Sequence, residues 1–539
     1  MGRLGSTGTR RLLRVLALSV VAISGLATWA LATGPGGWDH LGDHGTAGSK
    51  SLNLVADALE VSGTELYVGG KFTDAGGITN ADGIAKWNGS TWSAVSPSTA
   101  QINGEVFAIA VAGGKVYAGG TFDNAGTSGA DNLAVWDGTS WEPFCTVPGE
   151  TIGNVKALQV IGTTLYVGGD FQDAAGIAAA DYLLACDLTS PSGTPRPTTV
   201  DPTHPFSGPV KALTATHDGT LYAGGRFLNL ENIAAADNVA YLPQGGTWHP
   251  MASGVTSSSC GCSLDAYVRG LTDDGTNVFV GTEGSNVAGI AQADHVAKWD
   301  GLAWSAMGSN TSGTDGWFPS GTNIYDLASV GSNVFATGTF QNANGDARAD
   351  NIAWFDGTKW QPVGSNSAGD NGPWVGEGSA LAIFGQRLYA AGNFTSAGGD
   401  LQAQSAASFP LSNLIAVATP TVTAGPSAVA TPTVTPGPAP VATPTVTPSP
   451  TPPDTTAPRT RLRAAQISQA MRKATFSFAS GEAGSKFLCK LDKKKFKACT
   501  SPKTYKRLKR GKHVFRVKAR DRAGNVDRTP VVKRFRIKR

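Results

Sequence analysis

Leu66-Tyr67-Val68-Gly69-Gly70-Lys71-Phe72 decides how this chain of 539 residues is read, because it keeps returning. It recurs as Val116-Tyr117-Ala118-Gly119-Gly120-Thr121-Phe122 and as Leu165-Tyr166-Val167-Gly168-Gly169-Asp170-Phe171, and further copies end at Phe227, Gly284, Phe340 and Phe394. Seven copies spaced 49 to 57 residues apart predict a repeat architecture. Each repeat holds four short apolar runs separated by turn residues, the pattern of a four-stranded sheet. The first run is typified by Val106-Phe107-Ala108-Ile109, Val155-Lys156-Ala157-Leu158 and Val210-Lys211-Ala212-Leu213, and the motif is the second. The third opens at Asp82, Asp131, Asp181, Asp237, Asp294 or Asp350. After a turn such as Asp137-Gly138-Thr139-Ser140, the fourth opens at Trp92, Trp141, Trp248, Trp304 or Trp360.

Four-stranded units repeated radially make a β-propeller, and seven is an ordinary blade number. The seventh repeat stops at Phe409-Pro410 without its Trp strand, while Trp38-Asp39-His40-Leu41-Gly42 resembles the fourth-strand segment Trp304-Ser305-Ala306-Met307-Gly308. The N-terminal segment is therefore expected to complete the last blade and close the ring, which protects the sheet edges. Residues 33–415 form this unit. Its repeat resembles the kelch/galactose-oxidase class of propellers, and more closely the Tyr-x-Gly-Gly-x-Phe repeat of cell-polarity cortical markers. That resemblance implies the fold and a binding platform more often than an enzyme.

Charge divides the chain. The 69 Gly and only 16% charged residues suit strands and turns. From Asp454 to the end there are 27 Lys+Arg against 5 Asp+Glu, a net +22, while the propeller region carries about the same excess of acid. At the N-terminus, Arg10, Arg11 and Arg14 precede an apolar run from Val15 to Leu31, and Ala30-Leu31-Ala32 suits a cleavage site. Residues 1–32 read as an export signal, with an uncleaved anchor as the other reading. No later segment is apolar enough to span a bilayer. A secreted or extracellular, cell-surface-associated protein is expected. Six cysteines then favour disulfides. Cys489 and Cys499 suit a hairpin bridge, Cys145 and Cys186 are a weaker pair from neighbouring repeats, and Cys260-Gly261-Cys262 is too short for a relaxed loop.

The loop between strands two and three and the loop between blades emerge on one face. There lie Asp74, Asp123, Asn124, Asp173, Glu231, Asn232, Asn342 and Asp346, with Trp317 and Phe318 before blade six and Trp374 before blade seven. Aromatic rings beside Asp and Asn acceptors suit a carbohydrate or protein ligand. The Asp that opens strand three reads as a turn cap and the recurring Trp of strand four as core. Ca²⁺ is a candidate for the carboxylate loops, although none has the spacing of an EF-hand loop. No catalytic residue can be assigned: the seven His lack metal-ligand spacing, so no metal is expected, and there is no nucleophile–base pair. Carboxylates meeting across the ring would leave no trace in the sequence.

Residues 416–453 change to Thr, Pro, Val and Ala with a 12-residue period starting at Val417, Val429 and Val441. Such a segment makes an extended spacer of roughly 110 Å. Residues 454–539 then alternate apolar and basic residues, as in His513-Val514-Phe515-Arg516-Val517-Lys518-Ala519, which predicts a small β-sandwich with solvated faces. The module resembles a bacterial Ig-like extracellular domain through Cys489, Leu491, Asp492, Cys499, Ser501, Pro502, Tyr505, Gly511, His513 and Gly524-Asn525. In that family His513 is a framework residue. The departure is the charge: Lys493, Lys494 and Lys495, then Lys506, Arg507, Lys509, Arg510 and Lys512, form dense runs. They point to a cell-wall or other anionic polymer. Few aromatics interleave with them, so no nucleic acid is expected. The sequence thus reads as an exported, non-enzymatic binding protein; the alternative is a carbohydrate-active propeller enzyme, hydrolase or lyase, with a substrate-targeting tail.

Overall fold

The computed structural model describes residues 36–42, 50–414 and 458–538, less short stretches within the last two; the leader, the spacer, Glu231, Asn232, Cys260 and Cys262 lie outside the described residues. Seven four-stranded antiparallel sheets follow one another. Blade 1 comprises Ala56–Ser62, Glu65–Gly70, Ile84–Trp87 and Trp92–Ala94, in that spatial order. Each innermost strand lies beside the next, and that of blade 7, Gly376–Phe384, returns to that of blade 1. The sheets therefore form a closed seven-bladed propeller.

Packing between blades explains the Gly-Gly motif. A Cβ on Gly69 would approach Val106 Cγ1 of the next blade to 2.7 Å, and one on Gly168 would approach Val210 Cγ1 to 2.7 Å. Gly119, Gly224 and Gly281 meet Val155, Val268 and Ile324 in the same way. Between blades 6 and 7 the sizes are exchanged: Thr337 stands in the motif, and Gly378 on the facing strand makes the room. The second Gly is crowded by its own sheet, since a Cβ on Gly70 or Gly225 would strike the carbonyl of Val55 or Pro209. Those carbonyls precede a β-bulge that recurs in all seven innermost strands.

The last blade is closed as expected. Asp39–His40 pairs antiparallel with Ala406–Pro410. Trp38 is fully buried, donates its indole N–H to Val363 O at 2.8 Å, and packs edge-on against Trp374. Arg387 reaches Asp39 at 2.8 Å and His40 reaches Asp400 at 2.7 Å. Fourth-strand Trp residues tie other blades likewise: Trp92 donates to Leu41 O and Trp304 to Met251 O. A disulfide between Cys145 and Cys186 joins blades 2 and 3.

The C-terminal module is a sandwich of a three-stranded and a four-stranded sheet. The latter orders Lys497–Cys499, Lys486–Leu491, Gly511–Arg520 and Val531–Ile537 side by side. Phe476, Phe478, Phe515, Val517 and Ile537 fill the space between the sheets, and Cys489–Cys499 bridges neighbouring strands as the spacing predicts. Among the described residues no helix is long and apolar enough to cross a membrane.

Candidate functional site

On the propeller, the loops between strands two and three are held by the Asp that opens strand three. Asp131, Asp181, Asp237, Asp294 and Asp350 each accept the N–H of a loop residue, respectively Asn124, Asp173, Asn229, Asn286 and Asn342. Those five loop residues have left-handed φ between 48° and 64°, where Asn and Asp are best tolerated. The turn-cap reading of the strand-three Asp thus holds for five of its six copies. Asp82, in the sixth, has a buried oxygen without a partner.

Two of the three aromatic candidates are buried. Phe318 and Trp374 are each 4% exposed. Phe318 packs on Phe340 and Trp360, as Phe206 packs on Phe227 and Trp248 two blades earlier. Trp374 stacks on Phe394, and its carbonyl accepts the Asn351 side chain as Ile152 and Leu264 accept Asn132 and Asn238. Both rings therefore fill the apolar position that enters every blade, and the blade interior rather than a ligand takes them up. Trp317 is half-buried against the same core. The polar candidates are reachable but partly committed. Asp74 caps Gly77 N–H, Asn124 accepts from Gly129 N–H, and Asp346 pairs with Arg348. Asp123, Asp173 and Asn342 are exposed.

What converges instead is the ring of bulges. A bulge leaves one residue outside the ladder and re-aims its side chain. Here the seven are Asp57, Phe107, Lys156, Lys211, Arg269, Tyr325 and Ser379, each at least partly exposed. Their strands are innermost and the bulges lie where the inter-blade loops enter, so the side chains gather at the mouth of the central channel on the loop face. Lys156 Nζ sits 3.2 Å from the centre of the Phe107 ring, and the Arg269 guanidinium sits 5.1 Å from that of Tyr325. Asp57 lies against Glu105 of blade 2 and Ser379 of blade 7.

The electrostatics are uneven around this ring. Burial, then the neighbouring Glu105 carboxyl, pushes Asp57 up to about 7. Burial, then Lys211, pulls Lys156 down to about 8, and burial lowers Lys211 as well. Deeper along the same strands, burial raises Glu60 to about 7. It also raises Asp326 to about 7, despite the N–H groups of Leu327 and Leu381 at 2.8 Å. One position past the bulge the other blades carry only Ala or Gly. In the sequence Lys156 and Lys211 stand within the first apolar run of their repeats. The seven bulge residues differ in type, so the sequence carried no signal that set them apart.

On the C-terminal module the two basic runs meet. His513 contacts Asp492 through Nδ1 at 2.8 Å and the Lys509 carbonyl through Nε2 at 2.7 Å. That bridge holds the turn bearing Lys493, Lys494 and Lys495 beside the loop bearing Lys506, Arg507, Lys509 and Arg510, all exposed. His513 thus serves to hold these two segments together. The four-stranded sheet adds a second basic surface. Lys486 stands opposite Arg520, Lys490 opposite Arg516, and Lys512 opposite Arg536. Lys490 and Lys518 also lie over the ring of Phe496, at 4.8 and 4.9 Å. Like charges directly opposite across strands destabilise a sheet.

Among the described residues one trio, Asp39, His40 and Asp400, brings metal-type ligands together. It is occupied by the closure itself: Asp39 by Arg387, and Asp400 by His40 and the Gln402 N–H.

No protein-family model and no curated protein matches the chain. Several solved structures are similar at low identity. The computationally designed Ika8 protein is 14% identical over 66% of this chain and 84% of its own, with a TM-score of 0.36. The extracellular domain of a one-component system of B. thetaiotaomicron is 11% identical over 92% of this chain and 57% of its own, with a TM-score of 0.39. The endosialidase of phage phi92 is 11% identical over 71% and 70%, with a TM-score of 0.30. The chain is all-β, and the seven-bladed ring rests on its own strand pairing.

Proposed function

We propose that this is an exported, non-enzymatic surface protein: the propeller presents a recognition face, and the basic Ig-like module holds an anionic envelope polymer. The observation that carries the reading is the outer face of the C-terminal sheet. Three like-charged pairs stand directly opposite one another there, at a cost that solubility alone does not require. The clustered loops at the end of the same sheet extend the surface, and a polyanion lying along it offsets the repulsion by displacing counterions.

The kelch-like resemblance of the repeats, the cortical-marker likeness and the export signal belong to this reading. Two disulfides suit an oxidising compartment. The test is co-sedimentation of the full chain with bacterial envelopes at rising salt, beside an Arg516→Glu/Lys490→Glu variant. Attachment should fall steeply with salt and at least tenfold in the variant. Attachment indifferent to both overturns the electrostatic reading.

A further inference from the structure

We propose that the bulge ring at the channel mouth is a ligand site for a hydroxylated carboxylate of the uronic-acid class, its carboxylate on the cationic arc of Lys156, Lys211 and Arg269 and its hydroxyls on Asp57, Glu105 and Ser379. The inference rests on the propeller being a recognition platform and names what that platform takes.

The arc comes from three consecutive blades, and the acid pair from the two that precede them. The ring is therefore a divided surface, positive on one side and carboxyl-bearing on the other. Each cation stands within electrostatic reach of the next, Lys156 of Lys211 and Lys211 of Arg269. The loop face supplies partial counter-charges from Asp170 and Glu283, the latter paired with Arg269. Lys156 has the Phe107 ring beneath it and the carboxyl groups of Glu105, Asp57 and Asp170 within electrostatic reach. An anion bound there relieves the repulsion between Lys156 and Lys211 that runs along the arc.

Beside the arc, the carboxyl groups of Asp57 and Glu105 face each other, and Oδ2 of Asp57 is buried without a hydrogen-bond partner. A protonated carboxyl such as that of Asp57 both donates and accepts, which is what a vicinal diol needs. Ser379 adds a third group of that kind beside Asp57. The bulge creates the site in physical terms, because it is the one place on each inner strand where a side chain leaves the ladder beside the axis. A single repeat gives one group; the closed ring gives the constellation.

The test uses the full chain with glucuronate as the probe and glucose as the neutral control, followed by calorimetry. Glucuronate should bind at least ten times more tightly than glucose. Lys211→Met should weaken it at least tenfold, and Lys211→Arg should recover most of the loss while keeping the fold. Glu105→Gln should weaken glucuronate and glucose together. A short oligoglucuronate distinguishes a free acid from a polymer end: equal affinity assigns the first, tighter binding the second, and either supports the site. Absence of glucuronate binding, or binding unchanged in Lys211→Met, overturns it. The same variants keep their envelope sedimentation, since the basic module is untouched. Failure of the ring and failure of the envelope reading are therefore separately visible.

Discussion

Gly168 shows what a single residue decides in this fold. It faces Val210 of the next blade with no room for a Cβ, so the blades approach only because one partner is small. Gly168→Ala should cost about 1–3 kcal/mol by overpacking. Val210→Ala alone should cost about 1–2 kcal/mol through the apolar surface it no longer buries. The double variant should recover part of the sum, as the exchanged pair Thr337 and Gly378 already does between blades 6 and 7. Strictly additive losses in a denaturation cycle would show that the two residues do not share the space. This much was legible in the sequence, where paired Gly residues in a strand signal close backbone approach. The fate of Trp374 was not. The segment that enters each blade varies in length, which hides that Trp374, Phe318 and Phe206 hold one structural position. An aromatic residue in a long loop looks exposed until its packing partners are known.

At the level of the element, the two-residue strand Asp39–His40 has an effect out of proportion to its length. Its anchor is Trp38, whose ring fills space between Trp374 and Phe409 and whose N–H satisfies Val363 O. Trp38→Ala should lower the unfolding free energy by about 3–5 kcal/mol. Protease should then cut the seventh blade before the others. A variant as resistant as the parent would mean that the ring stays shut without this strand. The closing strand could be read from the sequence because it repeats residues seen elsewhere in the chain. The bulges could not be read that way. A bulge is a shift of register between two strands, and no residue type marks it when Asp, Phe, Lys, Arg, Tyr and Ser all serve.

For the molecule as a whole, the axis is where stability and pH meet. Asp57, Glu60 and Asp326 have folded-state values pushed up to about 7 by burial, against roughly 4 in an unfolded chain. The folded state therefore holds more protons between those limits. This contribution to stability is full below about pH 4 and is lost as pH rises through about 7. His513 adds a loss of the same sign at higher pH: hydrogen bonds to Lys509 O and Asp492 raise it in spite of burial. Asp400, lowered by His40 despite its burial, acts oppositely and only as pH falls below the ordinary carboxylate range. Glu60→Gln should raise the midpoint of thermal unfolding at pH 8, by about 1–3 kcal/mol in free energy, and leave it nearly unchanged at pH 4. An equal shift at both pH values would rule out titration as the cause.

The way the last blade is built also sets how the propeller meets a pull. The described propeller ends at Leu414, just past Ala406–Pro410, so a pull applied to the chain beyond it enters the ring through that strand. It is not an edge strand: Arg387–Phe394 grips it on one side and Asp39–His40 on the other. Load along its axis must shear both ladders at once rather than peel them bond by bond. Stretching single molecules from the C-terminus should show one high-force rupture for the propeller, and removing residues 36–41 should turn it into a low-force, stepwise unravelling.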